Sequence, residues 1–232
     1  MVRIGIISDA HGNAPGLALA LSFLERQEVG QIIFLGDAVG YMEQADEVCG
    51  MLERSRAICL MGNHEGMTCG RLPVPDGVDD LLRLPPSWES LPGVWRQQVE
   101  DNGPRLELDL EGCRLLCVHG SPEKPFTRYV NSEAAGQLDF EADVLLMGHT
   151  HRPFVVRNRG RLIVNPGSCG LPRDRGDLLS LAVVDLDGMD AQVYRLPFQP
   201  PAFLVKGMHP RAAALFERKE PDVFGHIWSS GI

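Results

Sequence analysis

Potential metal ligands follow the ends of apolar runs throughout this sequence. They are aspartates, histidines and one asparagine: Asp9, His11, Asp37, Asn63, His64, His119, His149 and His151. Five of the seven histidines lie at such positions, and histidines that serve core packing would not gather in this way. One histidine alone would favour a hydrogen-bonded polar group in the core. Five of them, with two aspartates, favour a functional site instead.

The spacing of these residues suits shared metal ions. Asp9 with His11, and His149 with His151, lie two residues apart, and on extended backbone such side chains point to the same side. Carboxylate and imidazole ligands suit zinc, manganese or iron, whereas the sequence has no C-x-x-C pair for a structural zinc or an iron–sulfur cluster. The ligands outnumber what one catalytic zinc takes, and an aspartate between two ions can bridge them. We therefore expect two ions.

Asp37 follows the apolar run "QIIFL", directly after a glycine. A Gly-Asp pair after a strand is more often a turn or a helix cap than part of a site. Open α/β sheets, however, place their ligand sites beyond the carboxyl ends of their strands. Asp37 is therefore a candidate site residue whose role depends on the other strand ends.

The first third of the chain predicts strands that alternate with helices. Residues 2–7 form the first expected strand, "QIIFL" the second and "AICLM" the third. The segments "APGLALALSFLERQ" and "EQADEVCGMLERS" have the periodicity of helices. This alternation predicts a parallel sheet with its ligands at one edge.

The remaining chain is expected to complete a single domain over residues 1–232. Residues 70–104 are interrupted by prolines and glycines, which predicts a loop-rich insertion over the site. The second half is mostly strand, with hairpin turns at 158–160 and 187–188, and a helix near 132–138. We expect two sheets, one from each half of the chain, and a C-terminal helix and tail over about 205–232.

The composition is that of a globular protein with an acidic balance. Hydrophobic residues make up 44% of the chain and the formal net charge is −9. Nothing approaches ~18 uninterrupted apolar residues and no secretory signal is visible, so we expect a cytoplasmic protein without a membrane span. The acidic balance makes bulk nucleic-acid binding unexpected. The six cysteines are expected to be free thiols.

The motifs "DAH", "GD", "GNHE", "VHG" and "GHTH" resemble, in order and spacing, those of the calcineurin-like metallophosphoesterases. "SDAHGN", "GDAVGY", "HGSP" and "NPGSCGLPRD" further resemble the small prokaryotic phosphodiesterase branch of that superfamily. The similarity covers about residues 1–196. It implies an α/β fold, a four-layer αββα sandwich with two mixed β-sheets.

The resemblance also implies roles for individual residues. One divalent transition metal ion, of manganese, iron, zinc or nickel, would be held by Asp9, His11 and His151, and a second by Asn63, His119 and His149, with Asp37 bridging. His64 matches the histidine that lies outside both ligand sets, contacts the substrate and protonates the leaving oxygen. Arg173 lies in a loop that is near the metals in the phosphodiesterase branch. It either binds the phosphoryl group or pairs with Asp174 or Asp177 at the surface.

The implied activity is metal-dependent hydrolysis of a small, nucleotide-like phosphodiester, with a hydroxide that bridges the two ions as the nucleophile. Two dications, two aspartates and that hydroxide sum to plus one, which suits the single negative charge of a diester. A phosphomonoesterase, a nuclease and a non-catalytic scaffold similar to the retromer small subunit are the alternatives, and the scaffold lineage lacks the histidine equivalent to His64. A homo-oligomer is left open.

One departure from the superfamily pattern narrows the choice of activity. Protein serine/threonine phosphatases and symmetrical dinucleoside tetraphosphatases carry Asp-Arg-Gly where this chain has Gly40, Tyr41 and Met42. Those two activities are therefore not expected. Since the missing aspartate orients the catalytic histidine in them, His64 must be held here in another way.

Overall fold

Two β-sheets lie face to face in the computed structural model, which describes residues 2–228. The strands are β1 (Arg3–Ile7), β2 (Gln31–Phe34), β3 (Ile58–Cys59), β4 (Arg105–Leu110), β5 (Cys113–Val118), β6 (Val144–Met147), β7 (Phe154–Asn158), β8 (Arg161–Asn165), β9 (Leu178–Asp185), β10 (Asp190–Pro197) and β11 (His226–Ile227). The first sheet has the order β11-β10-β9-β1-β2-β3, and the second β4-β5-β6-β8-β7. Both sheets mix parallel and antiparallel pairs, as the resemblance implies.

The division of the strands between the sheets differs from the expectation of one sheet per half of the chain, which is wrong. The β9–β10 hairpin pairs with β1 rather than with the second sheet, and β9 runs antiparallel to β1. The reason lies in the sequence "LLSLAVV", which is buried along its whole length. Such a continuous apolar run suits a strand with both faces covered. Between β1 and β10 it is covered by helices on one face and by the second sheet on the other.

The helices are α1 (Ala14–Arg26), α2 (Ala45–Arg54), α3 (Asn63–Thr68), α4 (Asp79–Leu82), α5 (Gly93–Asn102), α6 (Ser132–Ala135), α7 (Ala202–Val205) and α8 (Pro210–Ala213). Helix α1 begins where the Asn13 side chain accepts a hydrogen bond from the Gly16 N–H at 2.8 Å. Its buried face includes Leu17, Phe23 and Leu24, which pack on the first sheet. Helices α1, α2 and α5 thus form one outer layer.

Alternating side chains of the strands fill the space between the sheets. Ile4 and Ile6 of β1 contribute to this layer together with Leu115 and Cys117 of β5. The intervening residues of β5, Leu116 and Val118, face outward to a smaller core under α6 and the segment around it. The four-layer αββα arrangement implied by the resemblance is therefore confirmed.

The insertion and the C-terminal region are more irregular than the two sheets. Residues 70–104 contain α4, a short 3₁₀ helix (Trp88–Ser90) and α5, and both Trp88 and Trp95 are buried. The helix expected from about residue 205 is instead a set of short turns, α7, α8 and a second 3₁₀ helix (Ala214–Glu217). Residues 229–232 of the expected tail lie outside the described residues. The single-domain organisation stays a prediction.

Across residues 2–228, none of the helices combines the length and the apolar character that crossing a bilayer requires.

Candidate metal centre

The eight strand-end residues come together at one edge of the sandwich. Asp9 and His11 follow β1, Asp37 follows β2, and Asn63 and His64 begin α3 just after β3. His119 follows β5 in the second sheet, and His149 and His151 follow β6. Parallel strands place their carboxyl ends on the same edge, and the face-to-face packing of the sheets brings the two edges together.

Five of these residues have an unusual backbone conformation. Asp9, His11, Asp37, His149 and His151 have φ values between 48° and 67°, a region that residues other than glycine adopt infrequently. Such conformations concentrate at functional sites, where the surrounding structure maintains them. Here they turn the chain sharply after each strand, so that consecutive ligands point into one cavity.

A first group of ligand atoms comes from Asp9, His11 and His151. The His151 Nε2 atom lies 3.3 Å from the Asp9 carboxylate and 3.1 Å from the His11 Nε2 atom. The potential ligand atoms of the three residues lie within 4.8 Å of one another. All three side chains are buried. This group corresponds to the first ligand set that the resemblance implies.

A second group comes from Asn63, His119 and His149. The His119 Nε2 atom is 3.0 Å from the Asn63 Oδ1 atom and 3.1 Å from the His149 Nδ1 atom. Both histidines are buried. This group corresponds to the second implied set.

Asp37 lies between the two groups. Its Oδ2 atom is 3.4 Å from the His119 Nε2 atom and 3.8 Å from the His11 Nε2 atom. Its Oδ1 atom accepts a hydrogen bond from the His64 backbone N–H at 2.9 Å. One carboxylate thus faces ligands of both groups, which is the arrangement that a bridging ligand requires.

Backbone carbonyls fix which ring nitrogen of three of these histidines faces the cavity. The Nδ1 atoms of three histidines lie 2.6–3.0 Å from backbone oxygens, in the pairs His11–Val39, His119–Leu35 and His151–Leu171. A carbonyl only accepts, so each of these Nδ1 atoms carries a proton and each Nε2 atom points inward. Histidines that bind metals have their other ring nitrogen hydrogen-bonded in this way.

Several atoms that point into the cavity lack a hydrogen-bond donor among the residues that the structure describes, and a bound cation would supply the missing positive charge. The Asp9 Oδ1 atom is buried and has no hydrogen-bond partner among residues 2–228. Burial raises the pKa of Asp9 to about 7, and burial together with nearby positive groups lowers the pKa of His11 and His151 well below the usual value. Buried lone pairs only about 3 Å apart repel, and a cation between them relieves this repulsion. The donor set of imidazoles, carboxylates and one amide fits divalent transition metals.

Glu65 forms hydrogen bonds with two of the loops that carry these ligands. Its buried carboxylate accepts hydrogen bonds from four backbone N–H groups at 2.7–3.2 Å: those of Asp37, Ala38, Val39 and Gly62. The loops after β2 and β3 are therefore held to one side chain, next to Asp37 and Asn63. The sequence alone does not indicate this role for Glu65.

His64 is held by packing rather than by a hydrogen bond to its ring. Its Nδ1 atom is buried without a hydrogen-bond partner in the described part of the chain. The ring centroid lies 4.6 Å from that of His11 and 5.0 Å from that of Tyr41. Gly40 lies against the remaining side, since a Cβ atom there would be 2.2 Å from His64 Nδ1. Gly40 and Tyr41, which with Met42 occupy the three positions discussed above, thus enclose the ring.

Arg173 is close to the ligands and is not engaged by the neighbouring aspartates. Asp174 pairs with the buried Arg195, and Asp177 pairs with Arg175. The Arg173 Nη1 atom instead donates to the Tyr129 hydroxyl at 2.8 Å. The alternative of a surface pair with Asp174 or Asp177 is therefore wrong. The Tyr129 ring also lies 4.1 Å from that of His149, and no motif in the sequence points to this tyrosine.

A cavity of about 490 Å³ opens over these groups. Its lining includes Asp37, Asn63, His64, His149, His151 and Arg173. Residues 67–82 contribute an apolar side to it. A cavity of this size and mixed character is typical of small-molecule sites.

Comparisons with known proteins find matches over most of the chain. The model of the calcineurin-like phosphoesterase superfamily domain matches residues 2–189. An uncharacterized protein of Methanocaldococcus jannaschii is 23% identical over 220 residues, which is 84% of this chain and 87% of that protein. A phosphodiesterase of the same archaeon is 24% identical over 170 residues, which is 72% of this chain and 84% of the length of that protein.

A solved structure has the same fold. The crystal structure of a metallophosphoesterase from Sphaerobacter thermophilus is 26% identical and has a TM-score of 0.76. The match covers 93% of this chain and 98% of that one.

Proposed function

The chain belongs to the calcineurin-like phosphoesterase superfamily, and from this premise we propose that it is a dinuclear metal-dependent phosphodiesterase that acts on small, nucleotide-like substrates. The observation that carries the proposal is the position of Asp37 between two groups of buried ligand atoms. A phosphodiesterase among its relatives supports the same activity.

We assign Asp9, His11 and His151 to one ion, Asn63, His119 and His149 to the other, and Asp37 to both. Two divalent ions at these groups would neutralise charge on the phosphate and lower the pKa of a shared water into the neutral range. Backbone carbonyls orient the rings of His11, His119 and His151 so that each presents its Nε2 atom to the site, whereas His149 presents its Nδ1 atom. Manganese is the ion with which we would test activity first.

His64 is placed to give a proton to the leaving oxygen. It lines the cavity beside Asp37, with its Nε2 atom 3.9 Å from the Asp37 carboxylate. The potential ligand atoms of His64, His11 and Asp37 also lie within 4.8 Å of one another. We assign His64 to neither ion, which leaves its ring nitrogen to the substrate. A proton supplied at that point prevents an alkoxide from leaving as an anion. This residue favours an enzyme over a non-catalytic scaffold.

Arg173 supplies the cationic side chain for the phosphoryl group. Among the described residues that line the cavity, it is the one arginine or lysine. A guanidinium forms strong, directed hydrogen bonds to phosphate oxygens. A single such cation beside an apolar lining suits a monoanionic diester with organic substituents better than a dianionic monoester.

The test is the activity of the manganese-loaded protein on bis(p-nitrophenyl) phosphate and on p-nitrophenyl phosphate. A phosphodiesterase should give the higher kcat/KM on the diester. Preference for the monoester would instead assign a phosphomonoesterase, and the absence of activity on both, and on cyclic nucleotides and dinucleotides, would favour the scaffold. Cleavage restricted to long DNA would assign a nuclease.

A further inference from the structure

We propose that the apolar side of the cavity binds the leaving group of the substrate, and that this group carries an aromatic ring. This inference rests on the proposed function. We call this surface the apolar wall, and it consists of Met67, Leu72, Pro73, Pro75, Val78 and Leu82. It occupies one part of the same cavity that contains the ligand groups.

The apolar wall lies on the side of the cavity where His64 is found. Met67 is three residues after His64 in helix α3, and residues at that spacing are neighbours on one helix face. Gly40 lies between His64 and Leu82, since a Cβ atom placed on it would be 2.2 Å from the buried His64 Nδ1 atom and 3.1 Å from the Leu82 backbone carbonyl oxygen. His64 and the wall line the same cavity, so we expect the substituent that His64 protonates, which is the leaving group, to lie against the wall.

The wall retains apolar surface that a ligand can cover. Pro73 and Pro75 are exposed, and Leu72 and Val78 are half-buried. Burying such surface contributes about 25 cal/mol per Å². Proline has a fixed φ, so the segment that carries the two prolines loses less freedom when a ligand binds.

The chemistry of the wall selects an uncharged and flat group. Its six side chains carry no charge or hydrogen-bonding atom apart from the methionine sulfur, so they offer nothing to a second phosphate. Sulfur and apolar side chains pack well against an aromatic ring. A nucleoside or aryl alcohol has this character, whereas a short polar alcohol does not.

The test uses three substrates that share one leaving group. They are bis(p-nitrophenyl) phosphate, methyl p-nitrophenyl phosphate and p-nitrophenyl phosphate. The double variant Leu72→Ser and Val78→Ser should raise KM about 10-fold on every substrate that the wild type hydrolyses, with kcat nearly unchanged. Inhibition by free p-nitrophenol should weaken by a similar factor. Val74→Ser is the matched control, because Val74 is exposed on the same segment and does not line the cavity.

Two results would overturn the inference. A higher KM for bis(p-nitrophenyl) phosphate alone would place the second, retained substituent against the wall, and unchanged KM values would remove the wall from substrate binding. Pro73→Ser, at an exposed position, repeats the test if the double variant does not fold. A wild-type preference for the monoester would contradict the phosphodiesterase proposal. The effect of the double variant on KM could still be measured, because the monoester has the same leaving group.

Discussion

His64 differs from the other histidines of the site in how its ring is held. The Nδ1 atoms of His11, His119 and His151 face backbone carbonyls, which fixes a tautomer for metal binding. The Nδ1 atom of His64 has no such partner within residues 2–228, and the ring is instead packed beside His11 and Tyr41. Burial lowers the pKa of the His64 ring, and its assignment as the proton donor stays a prediction.

Replacement of His64 by alanine should separate proton donation from metal binding. We expect His64→Ala to retain its metal ions and to lose about 10²- to 10⁴-fold in kcat, the usual effect of removing a general acid. The loss should be greater for an alkoxide leaving group than for p-nitrophenolate, which needs little protonation. Steady-state kinetics on two diesters that differ in the leaving group measure this, and equal losses would show that His64 binds the phosphate instead.

Replacement of Arg173 should weaken the binding of the transition state without changing the metal content. Arg173→Ala is expected to lower kcat/KM by a factor that corresponds to about 1.5–3 kcal/mol, the range for a hydrogen bond to a charged group. Arg157→Ala is the control, because Arg157 pairs with Asp190 on the surface. If both variants show wild-type kinetics on diester and monoester, Arg173 has no part in binding the phosphoryl group.

At the scale of elements, the strand ends could be predicted because they follow from simple patterns. Apolar runs mark the strands, and polar residues just beyond them mark an edge where parallel strands end. The backbone turns at those ends could not be predicted. Asp9 and His11 adopt left-handed conformations that residue type does not specify, and tertiary contacts maintain them. Tyr129, which contacts both Arg173 and His149, lies in an irregular segment without a motif.

The pairing of the strands within the sheets also could not be predicted from the sequence. The hairpin of β9 and β10 could be predicted from its turn at residues 187–188, since that pattern is local. Its pairing with β1 connects residues that are about 180 positions apart. A periodicity of two indicates a strand and its buried face, and it contains no information about which sheet the strand joins.

Gly40 belongs to the loop after β2, and its replacement tests how that loop holds His64. Its φ is +90°, and a Cβ atom would meet the His64 ring at 2.2 Å. Gly40→Ala should therefore keep its metal content and lose about 10²-fold in kcat, the order expected when a catalytic group is displaced by about 1 Å. Gly112→Ala is the matched control, since its φ is +83° and nothing lies within 4 Å of the added atom.

Both glycine variants should lose some stability, because alanine is strained at a positive φ. The comparison of kcat at similar melting temperatures isolates the contact with His64. Equal kcat values for Gly40→Ala and Gly112→Ala would show that the loop does not position the imidazole.

At the scale of the whole molecule, the ligand groups connect the two sheets. Asp9, His11 and Asp37 follow strands of the first sheet, while His119 and His151 follow strands of the second. Each ligand group combines residues from both sheets. Metal ions bound there would act as links across the sandwich, and they would stabilise the folded state over the unfolded chain.

Metal removal should therefore lower the melting temperature of the protein. At free metal about 100-fold above the Kd, one ion contributes about 2.7 kcal/mol, which corresponds to about 5–10 °C for a chain of this size. Thermal unfolding with manganese and after treatment with a chelator measures the shift. A chelated wild-type protein that melts at the same temperature as the manganese-loaded one would show that no ion links the sheets.

The number of metal ions per chain tests the shared role of Asp37 most directly. Elemental analysis of the active protein should give about two transition metal ions per chain, because the ligands that we assign form two groups with the Asp37 carboxylate between them. Asp37→Asn should lose much of both ions together with its activity. A fully active wild-type protein with one ion, or an active Asp37→Asn protein with unchanged metal content, would contradict the dinuclear site.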